Sequence, residues 1–179
     1  MMVAFSMWGA TIPVPTYTIS LTQVEIVHTK TLKDYCLDIS KRLDSIGYLS
    51  VSPEEFSEFI FTVALCESGG KIKAKGKDGV GSHGLWQMSK DTRSKLKVRR
   101  GDCLYSQSEN YYKFLVAIGK NKIRGIKNSV DLHCYNFAPS RDKDGVLSKV
   151  TNPQLEALDF NKDSVITRED FILFQRLKV

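Results

Sequence analysis

Glu67 is the residue whose position most needs a chemical reason. Phe56, Phe59, Ile60 and Val63 form an apolar stripe at helical spacing, and the same phase carries on to position 67. A carboxylate therefore stands on the core-facing side of a helix, in its last turn, beside a glycine-rich stretch. Both the apolar setting and the negative end of the helix dipole disfavour its charge. A carboxylic acid that hands over a proton near neutrality needs such a setting. The competing reading is a helix-end glutamate paired with one of the lysines that follow it.

A second set of oxygen-bearing residues lies near the C-terminus: Asp159, Asn161, Asp163, the backbone carbonyl of Val165, and Asp170. They fall at positions one, three, five, seven and twelve of a twelve-residue loop, with apolar Ile166 at position eight. Hard Ca²⁺ takes six or more oxygen ligands, and this spacing supplies them. Leu155 and Leu158 before the loop, and Phe171 and Phe174 after it, give the flanking helices an apolar face. Ser164 stands where glycine normally makes the sharp turn, and Asp170 replaces the usual bidentate glutamate. A chance acidic loop is the alternative.

The elements that must position these groups are mostly helical. Leu32, Tyr35, Cys36, Ile39 and Leu43 recur at helical spacing over 31–46, and Gly47 stops the run. Ser52 can cap a second helix, with Pro53 in its first turn and Glu54 and Glu55 at the positive end of the dipole. That helix runs to Glu67 or Ser68 and ends at Gly69–Gly70. Six glycines between 69 and 84 predict a long loop. Further helices are expected at 89–97, 107–120 and 126–135, followed by helix, acidic loop and helix from Asn152. Residues 1–28 read as an extended arm with strand-like alternation. No internal repeat is evident.

The whole chain has 179 residues and a formal net charge of +6. Its length suits one domain with a small appendage. Residues 71–100 hold ten Lys or Arg against two Asp, whereas 151–179 hold four basic and five acidic side chains. The basic block predicts an anionic partner, although a solvated basic loop would look the same. It contains few aromatics and no nucleic-acid module, so no nucleic-acid partner is expected. No apolar stretch is long enough to span a membrane. The apolar start, MMVAFSMWGATIPVP, lacks a basic head and carries two prolines, so no signal peptide is expected. Cys36, Cys66, Cys103 and Cys134 are widely spaced without a CxxC pair, which argues against zinc. Three disulfide pairings remain open, while Cys36 and Cys66 fall within helices where buried free thiols are common.

Three segments, ALCESGG, GSHGLWQM and CYNFAP, occur in that order at a helix end, a loop and a second helix end. Together they resemble the lysozyme-like lytic transglycosylases, over about residues 52–140. The resemblance implies a mainly α, lysozyme-like helical domain at 29–150, between the arm at 1–28 and a single calcium hand at 151–179. The hand itself resembles dockerin-like loops. The resemblance makes Glu67 the single catalytic acid/base. It places Ser68 nearby as a hydrogen-bonding residue, Gln87 in the sugar groove, Tyr135 on the catalytic carboxyl and Asn136 supporting that corner. Trp86, where the family usually has Met, becomes the expected platform for a sugar face. The implied substrate is the MurNAc–GlcNAc β-1,4 bond of peptidoglycan, whose anionic polymers suit the basic rim. One carboxylate suffices to form a 1,6-anhydro product, whereas hydrolytic glycosidases normally use two.

Asp78 keeps a hydrolytic, lysozyme-type reading open, and a wall-binding or virion structural protein on the same scaffold is a third. Calcium is expected to act on stability or docking rather than on chemistry. A wall-cleaving enzyme without an export signal suggests delivery by a bacteriophage particle, with the arm docking on other virion proteins.

Overall fold

Thr31 starts the first helix by a reciprocal cap. Its hydroxyl accepts the Asp34 backbone N–H at 3.3 Å, while the Asp34 carboxylate accepts the Thr31 N–H at 2.7 Å. In the computed structural model, which describes residues 30–76 and 81–178, this helix is α1, Leu32–Ser45. The expected arm and Asp78 lie outside the described residues. The second helix, α2, covers Pro53–Ser68; Ser52 caps it by accepting the Glu55 N–H at 3.1 Å. Gly69, at φ +62°, closes α2 in the left-handed conformation that a side chain would disfavour.

The remaining helices are α3 (Lys90–Lys95), α4 (Leu104–Ile118), α5 (Lys120–Arg124), α6 (Ser129–Phe137), α7 (Pro153–Glu156) and α8 (Arg168–Lys178). The chain is mainly α, as expected from its periodicity. Helix α1 packs on α2 and α4, and α6 crosses α2 near its C-terminal end. Ile39, Leu43, Phe56, Ile60, Val63, Tyr111, Leu115 and Leu132 are buried in this first core. Among the described residues, no helix is long and apolar enough to cross a membrane.

The glycine-rich stretch is held by a residue from outside it. The buried Gln107 side chain accepts the Leu85 N–H at 2.8 Å and donates to the carbonyls of Ile72 at 2.7 Å and Gly101 at 2.9 Å. Gly84, at φ +85°, lets the amide come so close that a Cβ would lie 2.5 Å from Gln107 Oε1. One side chain thereby satisfies three backbone groups in the irregular segments on either side of α3.

The C-terminal segment forms a second core on the other side of α6. Strand β1 (Ser148–Lys149) pairs antiparallel with β2 (Val165–Ile166). Cys134, Leu147, Ile166 and Phe171 make the buried centre, with Phe137, Leu155 and Phe174 packed around it. Arg168 Nε also donates to the buried carboxylate of Asp131 at 3.0 Å, joining the start of α8 to α6.

A short repeat emerges here that the sequence did not disclose. Asp142-Lys-Asp144-Gly145 precedes β1 much as Asn161-Lys-Asp163-Ser164 precedes β2. The Asp144 N–H bonds Asp142 Oδ1 at 3.2 Å, and the Asp163 N–H bonds Asn161 Oδ1 at 3.1 Å. Gly145 ends the first segment and Ser164 the second, and of the two Ser164 takes the left-handed conformation. Ser164 adopts φ +67° with an exposed side chain, a conformation costly for a residue with a Cβ. Ser164→Gly removes that strain but frees the unfolded chain, for a net gain of about 0.5–1 kcal/mol. A higher urea midpoint at constant slope is the expected result, and an unchanged or lower midpoint contradicts it.

All four cysteines are free thiols. Burial pushes Cys36 and Cys134 up to about 12 and Cys66 up to about 11, so they stay protonated and unreactive. Cys103 is exposed at the start of α4, and its hydrogen bonds with Ser106 lower its titration.

Candidate functional site

Glu67 occupies the last turn of α2, and α6 supplies its partners. Asn136 Nδ2 donates to Glu67 Oε1 at 2.8 Å, and His133 Nε2 lies 3.1 Å from the same oxygen. The Asn136 amide is oriented by a second contact, donation to the Trp86 carbonyl at 3.1 Å. A carbonyl only accepts, so the nitrogen end must face both Trp86 and Glu67. Glu67 Oε1 thus carries two partners, while Oε2 has no hydrogen bond among the described residues. The side chain is 21% exposed and opens on a cavity of about 300 Å³.

Gln87, Asn136, Phe137 and Pro139 also line that cavity, with Asn152, Gln154 and Leu155 from the C-terminal segment. A larger cavity of about 590 Å³ shares Thr92, Phe137 and Pro139 with it and adds Lys95 and Arg141. Gln87 is held at φ +46°, with Nε2 donating to the Gly84 carbonyl at 2.8 Å. Glu67, Gln87 and Asn136 are therefore gathered on one wall system. Ser68 is adjacent in the chain, but its hydroxyl turns back to the Ala64 carbonyl at 2.8 Å.

Two expected site residues stand elsewhere. Trp86 is 3% exposed, stacks on Tyr111 at 4.4 Å between centroids, and donates Nε1–H to the Ile60 carbonyl at 3.1 Å. Its ring belongs to the core and has no free face for a sugar. Tyr135 makes no hydrogen bond to Glu67 among the described residues; it is largely buried, with Lys122 Nζ 5.6 Å from its ring centre. The reason is helical geometry. His133 and Asn136 are three residues apart and share a face of α6, whereas Tyr135 is turned about 100° from Asn136.

Sequence reasoning missed His133 and Gln175. Tyr111 is fully buried and its hydroxyl has no partner among the described residues. Burial, with the nearby Glu67 charge adding to it, pushes this phenol well above 10, so it stays neutral. Gln175 donates to His133 Nδ1 at 3.1 Å from α8. The C-terminal segment thus reaches the groove: α7 and its cap line the cavity, and α8 contacts the partner of Glu67.

In the acidic loop, Asp159 accepts the N–H groups of Asp163 at 3.2 Å and Ser164 at 2.9 Å. Asp170 accepts Phe160 N–H and Thr167 N–H, both at 2.9 Å, and caps α8. Asp163 accepts the Val165 N–H at 3.0 Å, and Asn161 Nδ2 donates to it at 2.9 Å. Among the described residues no group of three or more His, Cys, Asp and Glu is gathered tightly enough to hold a metal. The donor set is nonetheless all oxygen, and a carboxylate oxygen with one N–H keeps a further lone pair. No family model matches this chain, and neither a curated protein nor a solved structure does.

Proposed function

We propose that this chain cleaves the β-1,4 bond between MurNAc and GlcNAc in peptidoglycan as a lytic transglycosylase on a lysozyme-like helical scaffold, with Glu67 as its acid and base. The observation that carries this reading is the unequal treatment of the two carboxyl oxygens. Oε1 is occupied by Asn136 and His133, which leaves Oε2 of this cavity-lining side chain to carry the proton that is transferred. That proton passes to the glycosidic oxygen as the C1–O bond breaks. The C6 hydroxyl of the same MurNAc then attacks C1 and returns its proton to Glu67, closing the 1,6-anhydro ring without consuming water. Among the described residues, Glu67 is the one carboxylate lining its cavity, which suits a one-carboxylate reaction better than a two-carboxylate hydrolysis.

Phe137, partly buried and lining both cavities, takes over the sugar-stacking role expected of Trp86. Lys95, Arg141 and Asp91 line the larger cavity; Asp91 pairs with Lys95 at 2.7 Å, which leaves Arg141 as the cation offered there to an anionic polymer. Mass spectrometry of peptidoglycan digests tests the reaction. Products ending in 1,6-anhydroMurNAc are expected, and reducing MurNAc ends instead convert the enzyme to a hydrolase.

The proposal includes Ca²⁺ in the C-terminal loop, held by Asp159, Asn161, Asp163, the Val165 carbonyl and Asp170. The ion would draw together carboxylates that otherwise repel one another. At about a hundred times the dissociation constant it stabilises the native state by about 2.7 kcal/mol. A melting temperature higher in Ca²⁺ than in EDTA, with the gain lost in Asp159→Ala, is the expected outcome. Coincident melting curves remove the ion from the proposal.

A further inference from the structure

Resting on Glu67 as the acid, we propose that α8 belongs to the catalytic apparatus, with Gln175 acting as a positioning residue that fixes the tautomer and orientation of His133, and through it the Glu67 carboxyl.

The argument begins with the Gln175 amide, whose two ends are chemically different. Its nitrogen lies 3.2 Å from the Ser129 backbone carbonyl, which can only accept. Its oxygen accepts the Ser129 hydroxyl at 2.8 Å. These two contacts set the amide orientation without reference to the histidine. The same nitrogen lies 3.1 Å from His133 Nδ1, so Nδ1 must present a lone pair. In a neutral imidazole the hydrogen then resides on Nε2, which faces Glu67 Oε1 at 3.1 Å. A donor is thereby aimed at the carboxylate through a line of contacts reaching from residue 175 to residue 67.

Little in this line can rotate. His133 is 1% exposed and Gln175 8% exposed, so water cannot readily replace either partner. The His133 ring packs against both Phe171 and Phe174 of α8, with centroids 4.8 and 5.7 Å away. Arg168, on the same helix, donates to Asp131 on α6 at 3.0 Å. Undocking α8 would remove the donor to Nδ1 and the aromatic walls of the imidazole together. With Nδ1 unpaired, the ring loses the contact that holds its Nε2–H in line with Oε1. With the hydrogen on Nδ1 instead, Nε2 would turn a lone pair toward a carboxylate oxygen.

Long-range ¹H–¹⁵N spectra of the full-length, ¹⁵N-labelled chain read the tautomer directly, the His133 signals being assigned by their loss in His133→Asn. The wild type is expected to carry its proton on Nε2 with Nδ1 bare. Gln175→Glu places an acceptor beside Nδ1 and should bring a proton onto that nitrogen. Gln175→Ala should lower kcat on peptidoglycan by about tenfold, the scale of one lost hydrogen bond, with KM unchanged. Leu177→Ala, an exposed change on the same helix, should alter neither spectrum nor kcat. A wild-type proton on Nδ1 overturns the inference even if the variants fail to fold. So does a wild-type kcat in folded Gln175→Ala. If the wild-type chain does not cleave peptidoglycan, the functional reading fails, while the spectra of wild type and Gln175→Glu still decide whether Gln175 sets His133.

Discussion

Replacing Glu67 with glutamine is expected to lower turnover of peptidoglycan by about 10²–10⁴-fold while leaving the fold intact, because it removes the transferable proton and little else. The glutamine carbonyl can take the place of Oε1 and accept from Asn136 and His133, whose distances of 2.8 and 3.1 Å already suit neutral acceptors. Its NH₂ group then occupies the Oε2 position, where it cannot protonate a leaving oxygen. The melting temperature should therefore remain close to that of the wild type. Glu67→Asp is the complementary test, since it keeps the acid but withdraws it by one methylene. A displacement of that size costs about 10²-fold when geometry is what matters. Wild-type turnover in folded Glu67→Gln would dismiss this residue as the acid and return it to the role of a helix-end carboxylate.

The parts of this protein legible in its sequence are those set by neighbours a few residues away. The caps at Thr31 and Ser52, and the glycine at 69, mark the ends of α1 and α2 because a cap is a local hydrogen bond. Glu67 stood out because helical phase alone carries it to the end of an apolar stripe. The contacts that organise the site are different in kind. His133 and Gln175 are 42 positions apart, and Gln107 holds a loop that begins 35 positions earlier. No local pattern marks a buried glutamine as a clamp, and its partners emerge only once helices have packed. Tyr135 stands off the face that meets Glu67 because a Tyr-Asn pair can place only one member on a given helix face. His133, three residues before Asn136, was the available signal. The repeat at 142–145 and 161–164 is only four residues long, with different residues at two positions, so its kinship appears in one shared side-chain-to-backbone hydrogen bond rather than in letters.

Trp86 is where the chemical and structural readings predict opposite experiments. As a sugar platform, its loss would raise KM and spare stability. Buried at 3% exposure against Tyr111, with ring planes 7° apart, it should do the reverse. Trp86→Ala removes most of an indole from between α2 and α4 and leaves a cavity beside the buried Tyr111 ring. The expected cost is about 3–5 kcal/mol, a large share of the ~5–15 kcal/mol that holds a domain of this size together. This corresponds to a fall in melting temperature of roughly 6–20 °C. Trp86→Phe restores part of the volume and the stacking on Tyr111 but not the N–H donated to Ile60, so it should recover most of the loss. Both variants keep the Trp86 backbone carbonyl, the group that orients Asn136 toward Glu67. Below its melting transition, Trp86→Phe should therefore turn over peptidoglycan with nearly unchanged KM. A raised KM in Trp86→Phe at unaltered stability would place the ring in the groove instead and contradict its stacking on Tyr111.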